Sequence, residues 1–153
     1  MIMFEKSFET VLNEIIQLDI DASFAYLQAI EAIEEDDIRI NFMKFQNDHL
    51  RHIKELSAAV IKLGGIPPEH TKDFKGYLIE GITNLRSITG SKGALKAMKT
   101  NEKMTNYLYK NALNNKDMPV KIQLILQQNY HDAERHLQYI EDVLEQEFSD
   151  SLV

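Results

Sequence analysis

The chain has 153 residues, 44% of them apolar, with a formal net charge of −7, enough for one domain with a real core. It contains no cysteine, which excludes a disulfide framework, a zinc knuckle and an iron–sulfur cluster. The acidic balance argues against nucleic-acid binding, which needs basic clusters, and no apolar run approaches the roughly 18 residues of a membrane span.

From Ser7, a candidate N-cap, Phe8, Val11, Ile15, Leu18, Ala22, Ala25, Ala29 and Ile33 form a near-heptad apolar stripe. The acidic run Glu34-Glu35-Asp36-Asp37 reads as a turn and the start of a second helix, where negative charge is favoured. That helix carries Phe42, Phe45, His49, His52, Leu56, Ala59 and Leu63 on one face and stops at Gly64-Gly65, before Pro67-Pro68. A long connection follows, with a short helix expected around Tyr77, Leu78, Ile82, Leu85 and Ile88 and ended at Gly90. The third long stripe is Leu95, Met98, Glu102, Thr105, Tyr109 and Ala112, broken at Asn114-Asn115. Asp117 and Pro119 mark the start of the last helix, whose stripe is Ile122, Ile125, Asn129, Asp132, His136, Ile140 and Val143. Helices are thus expected over residues 7–36, 38–63, 91–113 and 118–147, with a crossover at 64–90, in one domain covering 1–153. Two hairpins joined by one long crossover make an all-α four-helix bundle of ferritin-like connection. The start of the chain lacks the apolar stretch of a signal peptide, so a cytoplasmic location is expected.

One word, D-x-x-R-H, is written twice, as Asp48 to His52 and Asp132 to His136. Each copy sets a carboxylate and an imidazole about one helical turn apart on one face, the donor pair a buried transition metal takes. The repeat is longer than the word. Asp19 is followed seven residues later by Tyr26, and Glu102 seven residues later by Tyr109; Asp19 precedes His52 by 33 residues and Glu102 precedes His136 by 34. Two such hairpins packed face to face bring acids and Asp/His pairs to one level of the core. Buried carboxylates gathered there repel unless protonated or bridged by cations, and two divalent metals, bridged by Asp19 and Glu102, answer that.

On these residues the chain resembles the ferritin-like diiron-carboxylate superfamily of ferritins, bacterioferritins and rubrerythrins, in particular its small bacterial members. The resemblance implies an up-down-down-up bundle binding two irons per chain, with manganese and zinc compatible with the same donors. It also implies reaction with oxygen or peroxide, as a ferroxidase- or peroxidase-type diiron oxidoreductase in iron handling or oxidative-stress defence. The expected ligands are Asp19, Asp48, His49, His52, Glu102, Asp132 and His136, with Tyr26 as a hydrogen-bonding or one-electron-donating candidate.

The family pattern has Glu three residues before His on helices two and four; His49 and Ala133 stand there in this chain. Two roles are therefore open to Asp48 and Asp132: metal ligand, or an acid orienting the histidine of the opposite helix. His49 is either a ligand or a core histidine, and Asp21 competes with Asp19 for the helix-one position. Arg51 and Arg135 are expected between helices, paired with acids, and His131 on the surface. Apolar Ile16, Leu27 and Ile30 beside the first stripe favour a homodimer. The alternative function is a non-catalytic structural or interaction bundle with a degenerate or static metal site. A rubrerythrin-type peroxide reductase would need a separate electron donor, because its rubredoxin module requires cysteines.

Overall fold

A computed structural model describes residues 7–69 and 90–149. The short crossover helix expected around 77–88, and His70, lie outside the described residues. Four long helices are present: α1 Phe8–Ala32, α2 Asp36–Lys62, α3 Gly90–Leu113 and α4 Val120–Glu147.

Local chemistry sets the ends. Ser7 Oγ accepts the Thr10 N–H at 3.2 Å and caps α1, with Glu9 in the first turn. α2 opens on Asp36 and Asp37, placed where the helix dipole favours negative charge. It ends on Gly64, whose φ of +83° suits glycine. There the Gly64 N–H reaches Ile61 O and the Gly65 N–H reaches Val60 O, the paired bonds of a Schellman motif that satisfy the last carbonyls. α1 stops at Ala32, short of the expected boundary at 36, because Ile33 is already extended. The cause is non-local: Ser91 Oγ accepts the Glu34 N–H at 2.9 Å and donates to Glu35 Oε1 at 2.5 Å. Gly90, expected to terminate a helix, instead opens α3.

The same contacts fix the direction of each helix. Ser91 ties the start of α3 to the α1–α2 turn. At the opposite end, Asn13 donates to Ile66 O and the Ile66 N–H reaches Glu9, so the end of α2 meets the start of α1. α3 therefore runs parallel to α2, and the bundle is up-down-down-up. α1 packs on α2 and α3, α4 packs on α3, and the α2–α4 seam is the lightest of these four.

The core has two apolar clusters. One holds Leu12, Ile16, Leu56, Val60, Met118 and Leu126; the other holds Ala29, Phe42, Leu95, Met98 and Ile140. A buried aliphatic side chain contributes about 1.5–3 kcal/mol. The layer between the clusters forgoes that gain, holding Asp19, His49, His52, Glu102 and His136 with no exposed surface. The stripes expected on α2 and α3 are the buried ones, apart from Leu63, which is exposed. On α1 the buried face is wider: Leu12, Ile16, Ile20 and Tyr26 are fully buried. Ile16 is thus core, and Asp19, placed by its spacing on the flank, stands in the middle of that face. Among the described residues no helix is long and apolar enough to cross a membrane.

Candidate metal centre

Each helix gives one face to the polar layer. α1 supplies Asp19 and Tyr26, α2 supplies Asp48, His49, Arg51 and His52, α3 supplies Glu102 and Tyr109, and α4 supplies Asn129, Asp132, Arg135 and His136. Asp19 Oδ1 takes His49 Nδ1 at 2.6 Å and His52 Nδ1 at 3.1 Å, and Asp19 Oδ2 accepts the Tyr109 hydroxyl at 2.6 Å. Glu102 Oε1 takes His49 Nε2 at 2.9 Å, His136 Nδ1 at 3.0 Å and the Tyr26 hydroxyl at 2.5 Å. The halves are near copies: each acid receives a histidine from its D-x-x-R-H word and a tyrosine from the other hairpin. His49 breaks the symmetry. Its counterpart is the fully buried Ala133, and its two nitrogens face one acid each.

The repeated word has a second role. His52 Nε2 is 2.9 Å from Asp132 Oδ2, and His136 Nε2 is 2.8 Å from Asp48 Oδ2. Arg51 donates to the same Asp132, and Arg135 donates to Asp48 at 3.0 Å and to Asp132 at 3.1 Å. Each aspartate therefore takes an arginine from the solvent side and a histidine from inside, both from the facing helix. This reciprocal clamp closes the α2–α4 seam. Each histidine pairs with the aspartate of the other word, while each arginine also reaches the aspartate of its own, Arg51 to Asp48 at 3.4 Å and Arg135 to Asp132 at 3.1 Å.

Among the described residues two groups of donors converge closely enough to hold an ion: Asp19, His49 and His52; and His49, Glu102 and His136. Asp48 and Asp132, expected as candidate ligands, belong to neither and sit on the outer nitrogens of His136 and His52. Asp21 lies on the flank and accepts from Gln17 at 3.0 Å. His131 is exposed and faces Glu134. Asn129 and Phe45 also join the site, beyond the residues expected from the sequence. Asn129 donates to the Tyr109 hydroxyl at 3.4 Å, and the Phe45 ring stacks on His136 at 4.2 Å. Asn129 had a legible signal, a polar residue in an apolar stripe; Phe45 had none, since its stripe position looks like core filling.

Charge is balanced inside the layer. Burial pushes the His49 imidazolium down, but the Glu102 charge and hydrogen bonds to Asp19 and Glu102 outweigh it and raise the group to about 10. Burial pushes Glu102 up, yet the His49 charge and hydrogen bonds from His136 and His49 hold it at about 2. Burial also opposes ionisation of Asp19, and its hydrogen bonds from His49 and His52 win, lowering it. Protons on His49 and His52, whose imidazoles the neighbouring carboxylates raise, thus hold the layer together. Among the described residues two oxygens of the layer are left over: the fully buried Glu102 Oε2 and Asn129 Oδ1 have no hydrogen-bond partner, and of the two only the glutamate oxygen is anionic. A buried anionic oxygen without a partner costs several kcal/mol, and a cation satisfies it. The donors present, imidazole and carboxylate without thiolate, suit iron, manganese or zinc.

The sequence profile of a family described as a domain of unknown function (DUF2383) matches residues 7–115. No curated protein matches the sequence at a significant level. Among solved structures, Dps from Thermosynechococcus elongatus is similar, with a TM-score of 0.69 over 95% of both chains at 13% identity. At that identity the likeness shows the fold, and the fold is ferritin-like.

Proposed function

The chain belongs to the DUF2383 family, and we propose that it binds iron in the core of its bundle and reacts it with oxygen or peroxide. The observation that carries this reading is the buried layer in which two carboxylates and three imidazoles converge with Glu102 Oε2 unpartnered. Two histidines and one carboxylate on one face are the donors of non-haem ferrous sites that leave positions open for an oxidant. A ferrous ion held there would supply one electron to dioxygen or peroxide and become ferric. The chain's own residues do the rest. His49, Glu102 and the word histidines offer donor atoms. Tyr26 and Tyr109 hold the two acids in place by hydroxyl hydrogen bonds. Asp48 and Asp132 fix the rings of His136 and His52 from outside, as carboxylates do for metal-bound histidines. Tyr26, touching Glu102, is also the nearest candidate to pass an electron inward.

The competing reading is a static bundle whose histidinium layer needs no ion, and the completeness of the proton-borne network around Asp19 favours it. Anaerobic equilibrium dialysis against ferrous iron, followed by exposure to oxygen or peroxide, separates the two. The wild type is expected to retain iron and oxidise it faster than buffer does, and Glu102→Ala to do neither. Wild-type protein that retains no iron would end the reading.

A further inference from the structure

We propose that the centre takes one divalent ion per chain rather than a carboxylate-bridged pair, and that the ion is held by Glu102, His49 and His136 with Asp19 orienting His49. This rests on the metal-binding reading above and departs from the dinuclear expectation. In the dinuclear carboxylate bundles, two helices each give a glutamate and two each give Glu-x-x-His. Four carboxylates then balance two divalent ions. Here the two Glu-x-x-His glutamates are replaced by His49 and Ala133. Among the described residues the fully buried acids are Asp19 and Glu102 alone. Their combined charge matches one divalent ion. A second would leave two uncompensated positive charges in the core, which is strongly unfavourable. Asp48 and Asp132 do not make up the deficit, because Arg51 and Arg135 already neutralise them at the seam.

Ligand sharing points the same way. The two donor groups have His49 in common. An imidazole that gives one nitrogen to a metal keeps its proton on the other. The groups therefore exclude each other, since the ring that serves one turns an N–H toward the acid of the other.

Three features select the Glu102 side. Glu102 has the unpartnered oxygen, whereas both oxygens of Asp19 are engaged. Glutamate has one more methylene of reach than aspartate. With an ion on His49 Nε2, the Nδ1–H points at Asp19 Oδ1, 2.6 Å away, and Tyr109 holds that acid from the other side. The second ligand, His136, is backed by Asp48 at 2.8 Å. Both imidazoles then have a carboxylate on the outer nitrogen, the arrangement that fixes metal-bound histidines. His52 and Asp132 are left as a hydrogen-bonded strut.

Anaerobic titration of the full chain with cobalt(II), read by visible absorption and by elemental analysis after gel filtration, tests this. One cobalt per chain is expected. Asp48→Asn is expected to weaken cobalt binding by roughly 10–100-fold, the usual cost of losing an orienting carboxylate. The matched Asp132→Asn is expected to cost much less. Both aspartates lie partly exposed at the seam and their asparagines are isosteric. Far-ultraviolet dichroism and the melting temperature of the ion-free variants confirm that each is folded. Two cobalt ions per chain, or equal losses in the two variants, would overturn the single-ion arrangement while leaving metal binding intact. No cobalt at all would overturn both.

Discussion

Replacing His49 with leucine lowers the stability of the ion-free protein by about 3–5 kcal/mol, the usual cost of removing one partner from a buried ion pair. Among the described residues His49 is the one side chain that hydrogen-bonds both buried acids. Leucine keeps the volume and removes the cation, leaving Asp19 and Glu102 with like charges in a layer flanked by apolar clusters. The penalty is larger than that of an ordinary core substitution of similar size, typically below about 1.5 kcal/mol. It also has a pH signature. His49 is raised from 6.5 to about 10 in the folded chain, so its contribution is complete below pH 6.5 and is lost as pH rises through about 10. Glu102 is lowered from 4.5 to about 2, so its contribution is complete above pH 4.5 and is lost as pH falls toward 2. The gap between wild type and His49→Leu is therefore widest from about pH 4.5 to 6.5 and narrows on both sides. Urea unfolding with a chelator present, at pH 6 and at pH 10, measures it. A loss under about 1 kcal/mol at pH 6, or one unchanged at pH 10, would show that the histidinium does not hold the layer together.

Ferrous iron raises the melting temperature of the wild type, and Glu102→Ala removes the rise. An ion that binds only the folded chain adds about 4 kcal/mol when its free concentration is a thousand times its dissociation constant. For a chain of this size each kcal/mol moves the midpoint by about 2–4 °C, so the expected shift is about 8–16 °C. The unfolded chain lacks the site because its donors come from α2, α3 and α4, brought together only by the bundle. Glu102→Ala deletes the carboxylate with the free oxygen. Differential scanning calorimetry under nitrogen, with and without ferrous iron, gives both values. An equal shift in the two proteins would assign the stabilisation to surface acids instead.

Much of the architecture was legible in the chain because helical periodicity is local. The faces of α2 and α3 could be read residue by residue, since polar His49, His52 and Glu102 stand at positions the 3.6-residue repeat reserves for the core. α1 was harder, because apolar residues surround most of its circumference and a narrow stripe through them leaves Asp19 on its edge. The end of α1 was illegible for a different reason: it is set by Ser91, 57 positions from Glu34. The candidate site was legible as a set of residue types, with the cross-helix pairing of the aspartates only one of the two roles left open. Spacing placed Asp48 beside His52 and Asp132 beside His136; the fold joins Asp48 to His136 and Asp132 to His52. Only the packing of α2 on α4 decides that exchange, and it moves both aspartates from the donor groups to the outer side of the histidine rings.

Crystals soaked anaerobically with ferrous iron and measured on both sides of the iron absorption edge give the most direct test of an ion in the bundle core. An anomalous peak bounded by Glu102, His49 and His136 is expected. A peak confined to exposed acids, with none in the buried layer, would contradict it.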